Sequence, residues 1–489
     1  MKTIVEQIFE HAKECPNKIA LHNGKQSYSY IELARRIIES KDLLESQFGL
    51  KEQDAVIIAA DKQLVFVSVY FACHLLGIVT LPIAPDTNPK RFELIYGQLN
   101  PKLVIGFENE CIHTQVATLK EFETDGTKNF DFQEISFPDL DNLADIIFTT
   151  GTTGMPKGVT LSQENIAAAA QNINTFIQNS KEDVEMLALP ISHSFGLGRL
   201  RCALSNGQTV IILGSFANMK RFYRFMEEFR VNGFGMVPAS WALIKKMSGD
   251  KIKEYASQLH YVEIGSAPMP IEDKRLLMEY LPDTRICMHY GLTEASRSCF
   301  MEFHEDRCYL DTVGRPSPNM DVVIMSEDGS TVPPNVEGEI CVKGLAVTKG
   351  YYHLEELNAS TFFGDYFRTG DWGVKDAEGR IKLCSRKKEL INVGGKKVSP
   401  MEVEELLCQL DYIQECACIG IPDPENILGE VVKACVVTNH PEKINPEEIN
   451  RFLSDKLENY KIPIAYEVIG EVPKTSSGKI QRLRLKKES

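Results

Sequence analysis

Thr149-Thr150-Gly151-Thr152-Thr153-Gly154-Met155-Pro156-Lys157-Gly158 brings four hydroxyls, three glycines and one lysine into ten residues. Ile146-Ile147-Phe148 leads into it and Val159-Thr160-Leu161 leads out. Apolar runs flanking a Gly/Thr-rich loop read as two buried strands joined by a hairpin-like turn. Glycines let backbone N–H groups approach an anion, hydroxyls add donors and the lysine adds charge, which together make a phosphate cradle. The loop is not a Walker A motif, because Pro156 breaks the required spacing before Lys157. A flexible Gly/Thr surface loop is the competing reading of these ten residues taken alone.

Working outward, the 489 residues exceed one ordinary core, so two or more domains are expected. Apolar content of 43% and charged content of 25% place the chain among soluble globular proteins. A net charge of −14 argues against a general nucleic-acid binder, whose footprint is basic. Thirteen cysteines stand singly with no CxxC pair, as expected of reduced thiols in a cytoplasmic protein. The first residues carry no apolar run of signal-peptide length. Residues 65–84 carry no formal charge, yet Thr80 and Pro82 interrupt any single helix, so a buried helix running into a buried strand is expected and no integral membrane span.

Elements alternate before the loop. Asn23-Gly24 marks a hairpin within 18–29, and Ser29-x-x-Glu32 is a capping box that opens a helix with Ile31, Leu33, Ile37 and Ile38 on its buried face. Residues 56–59, 80–83 and 103–105 read as strands and 62–76 as a helix, which indicates a parallel α/β core. Beyond the loop, Ser162-x-x-Asn165 opens a helix, and residues 187–197 read as a strand ending in a loop that carries His193, Phe195 and two glycines. A lone histidine there is a structural residue or a pocket residue. The string Ile286 to Glu294 ends in Tyr290-Gly291-Leu292-Thr293-Glu294, whose ring can stack on a purine, whose threonine can bond a phosphate oxygen and whose carboxylate can hold Mg²⁺. Thr369-Gly370-Asp371 places a carboxylate in a Gly-flanked turn able to accept both ribose hydroxyls.

In this order, the ten-residue loop, Tyr290–Glu294, Thr369-Gly370-Asp371 and the closing Pro473-Lys474-Thr475-Ser476-Ser477-Gly478-Lys479 resemble the hallmarks of the AMP-forming adenylating enzymes. These form the ANL superfamily of acyl- and aryl-CoA synthetases, peptide-synthetase adenylation domains and beetle luciferases. The resemblance runs from about residue 29 to residue 482. It implies an α/β fold with a large multi-sheet N-terminal domain, residues 1–385, and a small mobile α+β C-terminal cap, residues 386–489. In the cap a helix is expected at 400–409, strands near 414–421 and 430–437, and a helix at 446–459.

The roles that follow are what the resemblance implies. ATP phosphates meet Thr149, Thr150, Gly151, Thr152, Thr153, Gly154 and Lys157. Adenine sits among Gly265, Ser266, Ala267, His289, Tyr290 and Gly291, with Ser266 in place of the family's second glycine. Thr293 touches the α-phosphate, Glu294 binds magnesium, and Asp371 and Arg386 hold the ribose. Lys479 is the catalytic lysine, Lys388 the hinge, and Gly394-Gly395 the strand that faces the site in the thiol step. His193, Phe195, Gly265, Gly291, Ser296 and Arg297 wall the acid pocket. Arg297 there either meets a polar end of the acid or forms a structural ion pair. The amino-acid-activating relatives place an aspartate after the phenylalanine at Phe195; its absence favours a plain carboxylic acid. The implied chemistry is acyl-adenylate formation from ATP and an acid, then transfer to coenzyme A. Lys396, Lys397, Arg484, Lys486 and Lys487 are placed to meet the coenzyme A phosphates, and an acyl carrier protein with its phosphopantetheine, the alternative acceptor, could use the same basic patches. A non-catalytic nucleotide sensor is the alternative of a different class.

Overall fold

The computed structural model describes every residue except 62, 150–154, 426, 475–479 and 489. The chain folds as two compact units: Met1–Val322 with Val342–Phe367, and Val323–Cys341 with Arg368–Ser489. The expected junction at 385/386 lies inside the second of these.

The first unit holds two large sheets. One has six strands in the order Gln115–Ala117, Leu103–Ile105, Ala55–Ala59, Val79–Ile83, Leu143–Thr149 and Lys157–Ser162. Its neighbours are parallel except for the last two, which form the antiparallel pair expected around the Gly/Thr loop, with Thr149 opposite Lys157. The uncharged 65–84 stretch becomes the Leu64–Leu75 helix, buried at every position, followed by the buried Val79–Ile83 strand. Strands buried on both faces read as unbroken apolar runs, and these do. Among the described residues no helix is long and apolar enough to cross a membrane.

The other sheet has nine strands, in the order Arg315–Pro316, Cys299–Glu302, Arg285–Tyr290, Tyr261–Ile264, Gly233–Met236, Val184–Leu187, Thr209–Ile212, Ile19–His22 and Ser27–Ser29. The last two are the predicted hairpin. Both halves of the Ser29/Glu32 capping box form, as does a Ser162/Asn165 box at the head of the Gln163–Ile177 helix. One expectation for this part of the chain fails. After Leu187 the chain does not continue as a loop through 197: Ser194–Ser205 is a helix, with His193 at its N-cap and Phe195, Gly196 and Gly198 inside it. All of its residues from Phe195 to Ser205 are buried, so packing outweighs the roughly 1 kcal/mol that each helical glycine costs.

In the second unit the Glu415–Pro422 and Glu430–Val437 strands pair antiparallel and Ala465–Val468 joins in parallel. The Pro400–Leu407 and Pro446–Ser454 helices accompany them, the latter ending earlier than expected. Glu404 accepts from both Arg482 (2.7 Å) and the Cys418 N–H (2.6 Å). Burial raises its pKa even though the Arg482 charge opposes the shift. Gly394 and Gly395 are not in a strand. They form the two-residue turn between Ile391–Val393 and Lys396–Val398, at φ of 58° and 82°, where side chains other than glycine strain the backbone.

Candidate active site

One tyrosine touches both a strand of the six-stranded sheet and the loop that leaves a strand of the nine-stranded one. The Lys157–Ser162 strand carries Lys157 at its start, and the Lys157 ammonium lies 5.4 Å from the Tyr351 ring centroid. The Arg285–Tyr290 strand of the other sheet ends at Tyr290 and runs into the loop with Gly291, Thr293 and Glu294. Tyr351 donates its hydroxyl to Glu294 Oε1 at 2.8 Å, and Thr348 N–H donates to the Glu294 carbonyl at 2.8 Å. Tyr351 thus ties a cation of one sheet to a carboxylate of the other. Thr149 ends its strand, half-buried, with its hydroxyl 3.5 Å from the Lys157 carbonyl. Tyr290 is buried, while Gly291, Thr293 and Glu294 are half-buried.

The turn after Tyr261–Ile264 carries Gly265, Ser266 and Ala267. Ser266 has φ of 73°, the left-handed region, which costs a residue with a Cβ about 1–2 kcal/mol. Gly265 has a different reason: a Cβ there would lie 2.0 Å from His289 Cε1, so only glycine lets the His289 ring close against the turn.

Behind the turn lies a buried charge cluster. Glu263, 0% exposed, has Arg199 Nη1 at 3.1 Å, Arg297 Nε at 3.1 Å and His289 Nδ1 at 2.7 Å. Arg199 also donates from Nε to Glu185 Oε1 (2.7 Å) and from Nη2 to the Tyr261 hydroxyl (3.2 Å). Register explains why it fits. Glu185 and Tyr261 flank Gly233, and Gly235 flanks Glu263, so these side chains share one sheet face beside glycines that leave it open. A Cβ on Gly233 would come within 2.1 Å of Tyr261 Cζ. Burial works against the Glu263 charge, but Arg297, His289 and Arg199 more than offset it, and its pKa is lowered. Burial lowers the pKa of His289 despite Glu263, which favours neutral imidazole.

Phe195 and Arg297 join the cluster to the expected acid pocket. The Arg297 guanidinium lies 4.8 Å from the Phe195 ring centroid, and its Nη2 donates to the Phe195 carbonyl at 3.3 Å. Nη1 reaches Ser296 Oγ at 3.2 Å. Of the two readings of Arg297 in the sequence, the ion pair is the one formed here. His193 is exposed. A cavity of about 30 Å³ is lined by Ser194 and Gly198 of the Ser194–Ser205 helix together with Ile166, Ala170, Thr293 and Ser296.

In the second unit Asp371 lies within the Tyr366–Lys375 strand, not in a turn, and pairs across to Arg386 of Ile381–Arg386. Its Oδ1 is 2.7 Å from Arg386 Nε, and its backbone N–H donates to Thr369 Oγ1 at 3.0 Å. Lys388 is exposed in the short 3₁₀ turn Lys387–Glu389. Lys397 bonds Glu327, Lys396 lies 4.6 Å from the Tyr460 ring centroid and Lys486 lies 3.3 Å from Glu430, so these cations have protein partners. Thr150, Gly151, Thr152, Thr153, Gly154 and Lys479 lie outside the described residues, as does the Lys487 side chain.

Two further residues of the site take their roles from the fold. Tyr351 belongs to a Tyr351-Tyr352 pair whose residue types alone announce no chemistry. Glu263 interrupts an apolar strand, and together with Glu185 and the Gly233-x-Gly235 alternation it is a signal in the sequence for this buried charge cluster.

A family model described as AMP-binding enzyme matches residues 8–352, and one described as AMP-binding enzyme C-terminal domain matches 402–479. The long-chain-fatty-acid–CoA ligase of Bacillus subtilis (strain 168) is 33% identical over 396 residues, covering 79% of this chain and 68% of that protein. The oxalate–CoA ligase of Arabidopsis thaliana is 28% identical, covering 96% of this chain and 95% of its own. Among solved structures, ATP-bound MatB from Rhodopseudomonas palustris matches with a TM-score of 0.88 at 25% identity, over 99% of this chain and 98% of that one.

Proposed function

The chain belongs to the AMP-binding enzyme family, and from that premise we propose that it is an AMP-forming acid–coenzyme A ligase. The observation that carries the reading is the Lys157–Tyr351–Glu294 contact, in which one tyrosine touches a cation on one sheet and a carboxylate in the loop that leaves the other. A carboxylate attacking the α-phosphate of ATP releases pyrophosphate and leaves acyl-AMP. Both reactants are anions, so the step needs positive charge and hydrogen-bond donors aimed at the phosphate oxygens. Lys157, Thr293 and Lys479 are the residues we assign to that work. Tyr290 stacks on adenine beside Gly265, Ser266, Ala267, His289 and Gly291. Asp371 and Arg386 hold the ribose, and His193 and Phe195 stand at the acid.

Glu294 suits magnesium, which takes one or two carboxylates and completes its shell with water and substrate phosphates. Among the described residues no group of three or more His, Cys, Asp or Glu side chains offers an all-protein metal cage. Bound at Glu294, the ion would neutralise phosphate charge. In the second step a thiol displaces AMP. Coenzyme A is the acceptor in this reading because both curated relatives above carry CoA-ligase names. Residues 386–489 are the mobile cap, Lys388 its pivot and Gly394-Gly395 the turn presented to the thiol.

ATP–pyrophosphate exchange with a panel of acids tests the first step, and acid-dependent AMP release on adding coenzyme A tests the second. Exchange that needs both Mg²⁺ and an acid is expected. A protein that binds ATP but exchanges with no acid would be a nucleotide sensor, and the ligase reading would be lost.

A further inference from the structure

We propose that the acid is a short monocarboxylic acid, because a closed and charge-balanced cluster fills the interior behind Gly265 and Gly291. The inference rests on the ligase reading above. All the residues that carry it lie within the first unit.

The walls assigned to the acid are already in contact with one another. Gly265 lies against His289, and a Cβ on Gly291 would come within 2.5 Å of the Arg297 backbone nitrogen. The His289 ring meets Phe195 edge-on with centroids 4.7 Å apart, and Arg297 covers the other part of Phe195 at 4.8 Å. Gly198 offers no route around them, since a Cβ there would lie 2.7 Å from Arg297 Nη1. Deeper still, Arg199 and Glu185 are at most 1% exposed. An acyl chain extending past Gly265 would have to enter this charged region.

Displacing the cluster is costly. Glu263 is held by Arg199, Arg297 and His289 together, and an apolar chain wedged between them would leave charges buried without partners. Beside Thr293 and Ser296 the described residues leave a cavity of about 30 Å³, against the roughly 10–15 Å³ that one water molecule needs by the same measure. Ile166 and Ala170 in its lining suit a methyl-sized group.

The same cluster selects against dicarboxylic acids. Two arginines, Arg199 and Arg297, face two carboxylates, Glu185 and Glu263. Each guanidinium nitrogen of Arg297 has a protein acceptor: Glu263, Ser296 and the Phe195 carbonyl. Those of Arg199 go to Glu185, Glu263 and Tyr261. A second carboxylate on the substrate would therefore add an anion to a balanced site.

The test is ATP–pyrophosphate exchange by the full-length enzyme with acetate, propionate, butyrate, hexanoate, octanoate, palmitate, malonate and succinate. One methylene in a confined pocket is worth about 10- to 200-fold in kcat/KM. The expected profile peaks between acetate and butyrate and has fallen at least about tenfold by octanoate. Malonate and succinate should lie below propionate and butyrate. Octanoate or palmitate matching butyrate, or malonate or succinate exceeding its monocarboxylic counterpart, overturns the inference while leaving the ligase reading intact. Exchange with no acid overturns the ligase reading and the inference with it. The double substitution Glu263→Ala/Arg297→Ala removes one charge of each sign and should move the optimum to longer acids. A folded double variant, judged by its melting transition, that keeps the wild-type profile overturns the inference. If that variant does not fold, the wild-type profile decides alone.

Discussion

Asp371 is almost fully buried and holds the Arg386 guanidinium at 2.7 Å, so its carboxylate keeps one fixed orientation. If it accepts the ribose hydroxyls, Asp371→Ala removes hydrogen bonds to a charged group, each worth about 1.5–3 kcal/mol. Calorimetric affinity for ATP should fall by roughly ten- to a hundredfold, and an unchanged affinity removes Asp371 from the site. Tyr351 makes a second prediction. Its hydroxyl donates to Glu294 at 2.8 Å, so Tyr351→Phe frees the carboxylate from that orientation without changing its charge. The Mg²⁺ concentration for half-maximal exchange should rise several-fold with the fold unchanged; an identical Mg²⁺ dependence assigns Tyr351 to packing alone. Legibility at this scale depends on locality. Tyr290, Thr293 and Glu294 are adjacent in the chain, and their chemical types announce a nucleotide site. Glu263 meets Arg199 from 64 residues away, and no local pattern states which cation a strand carboxylate will find.

Between residue and fold stand elements whose conformation is decided by what they touch. The Ser194–Ser205 helix reads as loop in the sequence because Ser192, His193, Gly196 and Gly198 are weak helix formers, yet its buried face overrides them. By contrast, the Ser29 and Ser162 capping boxes and the Leu143–Thr149/Lys157–Ser162 pair are legible, since cap and alternation signals are local. The same helix carries Arg201 into a second buried cluster, where Asp145 receives Arg201 (2.5 Å), the Tyr70 hydroxyl (3.1 Å) and the Thr80 hydroxyl (2.5 Å). Burial would raise the Asp145 pKa, but Arg201 and His74 outweigh it and lower it to about 2. A carboxylate depressed in this way stabilises the fold fully above its unfolded value, 3.8, and the contribution is lost as pH falls towards about 2. Asp145→Asn leaves Arg201 buried without its counter-charge, and at pH 6 the loss in urea denaturation should be about 3–5 kcal/mol. At pH 3 the gap between variant and wild type should narrow, because the wild type alone is losing that contribution. A gap that stays constant or widens between pH 6 and pH 3 contradicts the assignment.

At the scale of the whole molecule, the two half-reactions make opposite demands on one site. Adenylation brings an anionic carboxylate against an anionic α-phosphate, and a lysine bridging them stabilises charge where it builds up. Loss of one such donor typically costs about a hundred- to a thousandfold in rate. Thioester formation needs a thiol path to the acyl carbon while AMP leaves, and a lysine held against the phosphate has no part in that. If residues 386–489 alternate between two orientations about Lys388, Lys479 serves only the first step. Lys479→Ala should then fail to release pyrophosphate from ATP and acid, yet convert synthetic acyl-AMP and coenzyme A to thioester at near wild-type rate. Lys388→Pro should do the reverse. Lys388 sits in the Lys387–Glu389 turn, and proline fixes φ near −65°, which removes one of the two backbone rotations a pivot there can use. Adenylation should survive in that variant and thioester formation should be lost. The pair is informative because folding defects would depress both half-reactions together, whereas alternation depresses a different one in each variant. Equal damage to both steps in Lys479→Ala would mean that Lys479 acts structurally or that the cap does not alternate. Retention of both steps in Lys388→Pro would place the pivot elsewhere in the chain.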